Sequence, residues 1–133
     1  MGVDENQRIK KSCTVLLVDD ELIVIEPICE LLKRLGYTVI CAANGEEAID
    51  LFKQERDDID VVILDMLMPG MNGKEAFLHI RRIQPEIPVI FASGYNYKDQ
   101  LNDVVSGKGS AFIQKPYRGS SIHFQIQKML RDK

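Results

Sequence analysis

The chain alternates between short runs of consecutive apolar residues and longer segments in which apolar residues recur at helical spacing. Nearly continuous, β-branched apolar runs predict five strands, at 14–18, 38–41, 61–64, 89–91 and 111–113. These runs do not alternate with polar residues, which is typical of strands buried on both faces of a parallel sheet. The segments between them must therefore supply the helices that cover the sheet.

The intervening segments carry the three- and four-residue spacing of amphipathic helices. Two of the predicted helices are followed by the stop signals Gly36 and Pro85. The five apolar stripes are Ile25, Ile28, Leu32 and Leu35; Ala48, Leu51 and Phe52; Ala76, Phe77, Ile80 and Ile83; Leu101, Val104 and Val105; and Ile122, Ile126, Met129 and Leu130. Five strands that alternate with five helices predict an α/β fold with a doubly wound, five-stranded parallel sheet and helices on both faces.

Composition limits the class of protein further. A chain of 133 residues with 45% hydrophobic and 28% charged residues is expected to form one globular domain. Residues 1–12 are polar and predict a flexible N-terminal arm, which leaves 13–133 as the domain. The net charge of -3, without a basic cluster, predicts no nucleic-acid-binding surface. Only 17 residues follow Pro116, so no DNA-binding effector domain is expected in this chain.

The sequence also predicts a cytoplasmic protein. No stretch approaches the ~18 consecutive apolar residues of a membrane span, so no membrane contact is expected. The first twelve residues carry charges of both signs and do not form a secretory signal. Cys13, Cys29 and Cys41 show no C-x-x-C spacing, and we expect small buried side chains rather than bridges or zinc ligands.

Polar residues that could carry chemistry follow four of the five predicted strands. Asp19 and Asp20 follow the first strand, Asp65 the third, Ser93 the fourth and Lys115 the fifth. In open parallel sheets, ligands bind beyond the carboxyl ends of the strands, where the strand order reverses. With the order 2-1-3-4-5, the first and third strands are neighbours, so the three acids converge between the serine and the lysine.

Such an acidic cluster restricts the possible chemistry. Two carboxylates ~4 Å apart repel by about 4 kcal/mol at an effective dielectric constant near 20, so the acids must bind protons or a cation. Oxygen ligands without histidine or cysteine favour Mg²⁺. Asp65 is then a candidate nucleophile that forms an aspartyl phosphate. Lys115 would stabilise the phosphoryl charge, and Ser93 would donate its hydroxyl to a phosphoryl oxygen.

Each of these residues also has an ordinary interpretation. Asp19 and Asp20 could cap the first helix, Lys115 could be a solvated surface residue, and Ser93 could belong to a turn. The combination of all four segments at one sheet edge favours the functional interpretation.

Four segments together resemble the receiver domain of bacterial response regulators. They are VLLVDDE at 15–21, VVILDMLMPGMNG at 61–73, FASGY at 91–95 and FIQKPY at 112–117. The resemblance covers about residues 14–130. It implies a flavodoxin-like fold and transfer of a phosphoryl group from a histidine kinase phosphohistidine, or from a histidine phosphotransfer domain, to Asp65.

The resemblance also implies individual roles around Asp65. Asp20, Asp65 and the backbone carbonyl of Leu67 would ligate Mg²⁺ directly, and Asp19 would act through a metal-bound water. Lys115 would pair with the phosphoryl group, and the peptide bond between Lys115 and Pro116 would be cis. Ser93 and Phe112 would be the two switch residues. The predicted helix near 101–107, the fifth strand and the last helix would form the surface that a downstream partner reads.

The sequence departs from the common receiver pattern at two positions, and it leaves three functions open. Leu67 is apolar where many receivers carry a polar residue, and Phe112 lacks the hydroxyl of a tyrosine. The segments SGY at 93–95 and GKGSAFIQKPY at 107–117 resemble receivers of hybrid histidine kinases, so the chain is either a segment of such a sensor or a single-domain regulator, and not a turnover enzyme. A haloacid dehalogenase-type phosphatase would need an aspartate at Leu67. A nucleotide or flavin binder would need a glycine-rich loop where Asp19 and Asp20 stand.

Overall fold

The five strands form one parallel sheet in the order β2-β1-β3-β4-β5. The computed structural model describes residues 13–68, 70–94, 109–115 and 117–131. Its strands are β1 (Thr14–Val18), β2 (Thr38–Ala42), β3 (Val61–Asp65), β4 (Val89–Ser93) and β5 (Ser110–Gln114). The predicted α/β class and strand order are therefore confirmed.

Helices cover both faces of the sheet, as predicted. They are α1 (Leu22–Arg34), α2 (Gly45–Glu55), α3 (Gly73–Ile83) and the C-terminal helix α4 (Gly119–Arg131). Alternate residues of β1 point to opposite faces: Val15 and Leu17 pack with the helix pair α1 and α4, and Leu16 and Val18 pack with α2 and α3. Among the described residues, no helix is both long enough and apolar enough to cross a bilayer.

Side-chain and glycine signals set the ends of several helices. Asn44 accepts a hydrogen bond from the Glu47 amide at the start of α2. Asn72 and Glu75 form a reciprocal capping box at the start of α3. Gly36 lies just after α1 with a φ of +102°, a conformation that favours glycine, so the predicted stop is confirmed.

The edges of the sheet depart from the predicted pattern. The strands β2 and β5 are mostly half-buried or exposed, so the prediction of burial on both faces is wrong for them. An edge strand has a neighbour on one side alone, and its side chains receive less cover. Leu35 is exposed just beyond α1, and Cys41 is exposed on β2, although both were expected in the interior. The prediction of burial holds for Cys29, while Cys13 is half-buried.

Some predictions lie outside the described residues. These are the arm at 1–12, the helix near 101–107 and the Pro116 side of the proposed cis peptide.

Candidate functional site

Three aspartates meet at the carboxyl edge of the sheet. Asp65 is the last residue of β3, and Asp19 follows the end of β1, directly beside it, because Val18 pairs with Leu64. Carboxylate oxygens of Asp19, Asp20 and Asp65 lie within 4.8 Å of one another. Asp19 and Asp65 are buried and Asp20 is exposed. The cluster therefore places two carboxylates in a poorly solvated position and a third at its rim.

Asp19 does not cap α1 in the usual way. The N-cap position belongs to Glu21, which has no side-chain cap hydrogen bond. Instead, one carboxylate oxygen of Asp19 accepts the Glu21 amide at 2.9 Å, which holds the side chain in place before the helix starts. Asp19 is therefore not the cap of α1, and its side chain is oriented toward the acidic cluster.

Lys115 bridges the two buried carboxylates. Its Nζ donates to Oδ2 of Asp19 and to Oδ1 of Asp65, both at 3.0 Å. Its backbone amide donates to the carbonyl of Ser93 at 2.6 Å, which ties the lysine to the end of β4. The structure therefore brings residues from the ends of β1, β3, β4 and β5 to one place, as the strand order requires.

Charge at the site is out of balance. Burial, and then repulsion from Asp19, raises the pKa of Asp65 from 3.8 to about 6, against the opposing effect of Lys115. Burial by itself lowers the pKa of Lys115, but its hydrogen bonds to Asp19 and Asp65 outweigh burial and the net pKa is raised. One ammonium group thus faces three carboxylates, and a further cation would lower the repulsion among them.

Ser93 lies at the end of β4 and carries a buried hydroxyl. Within the described part of the chain, this hydroxyl has no hydrogen-bond partner. A buried polar group left without a partner costs about 1–3 kcal/mol, so the position favours a ligand that can accept a hydrogen bond from this hydroxyl. The strand prediction ended too early here and at Asp65, since both residues belong to their strands.

The remaining candidate residues surround this cluster at different distances from the acids. The Leu67 amide donates a long, 3.4 Å hydrogen bond to Asp65, while its side chain is exposed. Phe112 lies in the middle of β5, pairs with Phe91 across the strands, and is half-buried against the core on the α2 and α3 side. Neither side chain contributes a polar group to the acidic cluster.

Two further residues shape the site, although no pattern in the sequence gives them a role. A Cβ on Gly73 would lie 2.4 Å from the Asp65 carbonyl oxygen and 2.9 Å from the Met66 Cα, so glycine alone lets α3 begin this close to the end of β3. Tyr117 follows the Lys115–Pro116 pair, and burial together with the nearby Asp19 raises its pKa to about 12. Both residues lie inside the receiver-like segments 61–73 and 112–117, but their contacts depend on how closely neighbouring elements approach in the folded chain.

The arrangement suits a divalent cation and an incoming anion. Among the described residues, this cluster is the one group of three potential metal ligands, and all three are carboxylates. Carboxylates alone favour a hard ion such as Mg²⁺. The Lys115 ammonium and the Ser93 hydroxyl are donors that an anion at Asp65 could use.

Comparisons with known proteins identify the family. The model of the response regulator receiver domain matches residues 15–127. Sensor kinase CckA of Brucella abortus is 31% identical over 96% of this chain, and the probable transcriptional regulatory protein TcrX of Mycobacterium tuberculosis is 30% identical over 89%. The chain spans 14% of the first relative and 50% of the second.

Solved structures give the same result. A response regulator receiver domain protein from Clostridium thermocellum is 28% identical, has a TM-score of 0.83, and aligns over 90% of this chain and 96% of its own. The receiver domain of the hybrid histidine kinase CckA is 28% identical with a TM-score of 0.74, over 88% and 98% of the two chains. Because the family model matches residues 15–127, which is most of this chain, the chain belongs to the response regulator receiver domain family.

Proposed function

We propose that Asp65 is the residue that accepts the phosphoryl group. Receiver domains are signalling domains of two-component systems, and the phosphoacceptor role fits this family. The observation that carries the assignment is the contact between Asp65 and Lys115 inside a cluster of three acids. The group would come from the phosphohistidine of a histidine kinase or of a histidine phosphotransfer domain.

One oxygen of Asp65 is better placed to react than the other. The hydrogen bonds described for this carboxylate, from Lys115 and from the Leu67 amide, both fall on Oδ1. We propose that Oδ2 attacks the phosphorus, that the O–P bond forms as the P–N bond of phosphohistidine breaks, and that the imidazole leaves with the electron pair. Because the pKa of Asp65 is about 6, the carboxylate is mostly ionised at pH 7 and needs no general base.

The residues present fit Mg²⁺. The carboxylates lie close together and the cluster contains no nitrogen or sulfur ligand, a donor set that hard cations prefer. Asp20, Asp65 and the backbone carbonyl of Leu67 would hold the ion directly, and Asp19 would hold it through a water. When bound, the ion supplies positive charge that lets an anionic phosphoryl group approach the acids.

Lys115 and Ser93 would hold the transferred group from two other directions. Lys115 would keep its proton throughout, because its pKa is raised above the ordinary value, and would exchange a carboxylate partner for a phosphoryl oxygen. The Ser93 hydroxyl, which has no partner among the described residues, would donate to a second phosphoryl oxygen. Phosphorylation adds about 1.5–2 negative charges, so it would favour the conformer in which both contacts form.

The readout of this change is expected at β5 and α4. Phe112 is half-buried on β5 and the last residues of β5 lead to Lys115, so a shift of Ser93 and Lys115 would alter the packing of this aromatic ring. We expect amide chemical shifts across 110–131 to change when beryllofluoride, a phosphoryl mimic, is added with Mg²⁺. The amide shifts of residues 53–54, which are exposed on α2, serve as the internal reference. Unchanged amide chemical shifts across 110–131 would refute this readout surface. The predicted helix near 101–107 is proposed as a further part of the same surface.

Leu67 is expected to make the phosphorylated state long-lived. Its exposed side chain is apolar, so it cannot orient a water for attack on the aspartyl phosphate. We expect Leu67→Asn to shorten the phosphoryl half-life by about 10-fold, since positioning by a hydrogen-bonding side chain typically contributes at least this much. Decay of radiolabel in Mg²⁺ buffer measures the effect, with Leu78→Asn on the exposed surface of α3 as control. A wild-type half-life of a few seconds would contradict the prediction.

Transfer from a panel of autophosphorylated histidine kinases tests the proposed function. We expect rapid labelling of the full chain by at least one kinase, and a fall of about 100-fold or more when EDTA removes divalent cations, because charge stabilisation by a metal is worth several kcal/mol. Acetyl phosphate is a second donor that does not depend on partner recognition. Absence of labelling by every donor in the presence of Mg²⁺ would overturn the proposal.

We propose further that the domain spans 13–133, that it works in the cytoplasm, and that it catalyses its own phosphorylation and slow dephosphorylation. A role as the receiver segment of a hybrid histidine kinase is the second candidate, supported by the similarity to sensor kinase CckA and to the receiver structure of CckA. A haloacid dehalogenase-type phosphatase is not favoured, since Asp65 ends the third strand and Leu67 stands where that class needs a second aspartate.

A further inference from the structure

Two cysteines outside the acidic cluster face each other between α1 and β2. The Sγ atoms of Cys29 and Cys41 are 3.0 Å apart. A disulfide holds its sulfurs at about 2.05 Å, so a closer approach of about 1 Å would suffice. Cys41 shares a face of β2 with Val39, which packs against the core on the α1 and α4 side, so this face of the strand is turned toward the helix that carries Cys29.

The two thiols differ in their access to solvent. Cys41 is exposed because β2 is an edge strand, whereas Cys29 is buried on the face of α1 that packs against the sheet. Burial, followed by the hydrogen bond with Cys41, raises the pKa of the Cys29 thiol to about 12. Oxidants therefore reach Cys41 first, and Cys29 stands beside it as a protonated resolving thiol.

Zinc binding explains the pair less well. Zn²⁺ in proteins has about four ligands, each thiolate at ~2.3 Å. Among the described residues, no third ligand joins the two cysteines, since the one cluster of three potential ligands is formed by Asp19, Asp20 and Asp65. The contact geometry thus favours a bond between the two sulfurs.

We propose that Cys29 and Cys41 form a reversible intramolecular disulfide when the protein meets hydrogen peroxide. The Cys41 thiol loses its proton, the thiolate attacks one peroxide oxygen, the O–O bond breaks, and the released hydroxide takes up that proton, so that a sulfenic acid and one water result. The Cys29 sulfur then attacks the sulfenic sulfur; the S–S bond forms, the S–O bond breaks, and the hydroxyl leaves as water with the Cys29 proton. Two thiols are oxidised and one peroxide is reduced to two waters, and an external dithiol reverses the reaction.

The bond would fasten α1 to the edge of the sheet. Residues 29 and 41 enclose the end of α1, Gly36 and the start of β2, so the cross-link would restrict a short loop in the unfolded chain. α1 begins two residues after Asp20, whereas Cys29 lies two turns further along the helix. The modification therefore acts on the helix without touching the acids of the phosphorylation site.

A variant with two cysteines gives the cleanest test. In wild-type protein, trypsin leaves Cys13 and Cys29 on one peptide, 12–33, so Cys13→Ser is used to make Cys29 the single cysteine of that peptide. The reduced full-length variant is treated with hydrogen peroxide, its remaining thiols are alkylated, and tryptic peptides are analysed by mass spectrometry. Cys13→Ser/Cys41→Ser and Cys13→Ser/Cys29→Ser are the matched controls, and far-UV circular dichroism checks that each is folded.

The proposal predicts five results together for Cys13→Ser. Cys13→Ser yields a peptide that links Cys29 to Cys41, loses two hydrogens in intact mass, stays monomeric, and recovers both thiols with dithiothreitol. Its Tm rises by roughly 5–10 °C on oxidation, and neither control shows the linked peptide or the rise. Two alkylatable thiols after peroxide, a dimer joined through Cys41, or a sulfinic or sulfonic product at Cys41 would each overturn the proposal.

Discussion

Replacement of Asp65 by asparagine is expected to abolish phosphoryl labelling, with a fall of more than about 1,000-fold. The amide has nearly the same shape as the carboxylate but no negatively charged oxygen to attack phosphorus. Labelling is measured as radiolabel transfer from a histidine kinase and as addition of one phosphoryl mass from acetyl phosphate. Asp57→Asn, on an exposed residue after α2, is the matched control and should label like wild type.

Stability of the asparagine variant separates loss of chemistry from loss of folding. The pKa of Asp65 is raised from 3.8 to about 6 in the folded protein, so the folded state keeps the proton to higher pH than the unfolded state does. The protonated Asp65 carboxyl therefore contributes stability below pH 4, and this contribution is lost as the pH rises from about 4 to 6. Above pH 6 without divalent cations, Asp65→Asn should be more stable than wild type by about 1–3 kcal/mol, and the difference should vanish below about pH 4.

Two outcomes would contradict this assignment. Residual labelling of Asp65→Asn at the wild-type rate would place the phosphoryl group on another residue. A variant that unfolds more readily than wild type above pH 6 would show that the carboxylate stabilises the metal-free fold, against the electrostatics of the cluster. Radiolabel transfer tests the first outcome, and urea unfolding at pH 4 and pH 8 in the presence of EDTA tests the second.

The second large effect is expected at Gly73. An alanine Cβ would lie 2.4 Å from the carbonyl oxygen of Asp65 and 2.9 Å from the Cα of Met66, and backbone atoms cannot move aside as the end of a side chain can. Either α3 must shift away from β3 or the end of β3 must distort. We expect Gly73→Ala to lower the free energy of unfolding by about 3 kcal/mol or more, and to slow labelling because the distorted segment carries the acceptor.

Gly94→Ala provides the comparison for this glycine. Among the residues that the structure describes, a Cβ there meets nothing within 4 Å, so the loss of stability should stay within about 0.5 kcal/mol. Urea unfolding measures both variants, and labelling by acetyl phosphate measures the state of the acceptor. If Gly73→Ala were as stable as Gly94→Ala, the close approach of α3 to Asp65 would not constrain the site.

Local sequence patterns predict the interior of this fold better than its borders. Continuous apolar runs mark β1, β3 and β4 because these strands are buried on both faces. The predicted strands end before Asp65 and Ser93 because their apolar runs end there, yet backbone pairing continues through both residues, as in the pair of Asp65 with Ala92. Exposure at an edge depends on neighbours in space, which explains the wrong prediction for Cys41.

The acidic site was predictable to the extent that strand order places strand ends together. Asp19, Asp20, Asp65 and Lys115 all follow from that rule, without any knowledge of distances. The contact of Gly73 with the Asp65 backbone and the pairing of Cys29 with Cys41 do not, because both depend on how closely a helix approaches the sheet. Helix-to-sheet distance is decided by packing over many residues and leaves no local signal in the sequence.

The hydrogen bond from the Lys115 amide to the Ser93 carbonyl joins the two residues proposed to bind the phosphoryl anion into one mechanical unit. Their separation is set by the register of β4 and β5, which pairs Val89 with Ser110 at one end and Ser93 with Gln114 at the other. A change in the spacing of Ser93 and Lys115 would therefore require a shift in the register of these two strands, so both residues follow the edge of the sheet together.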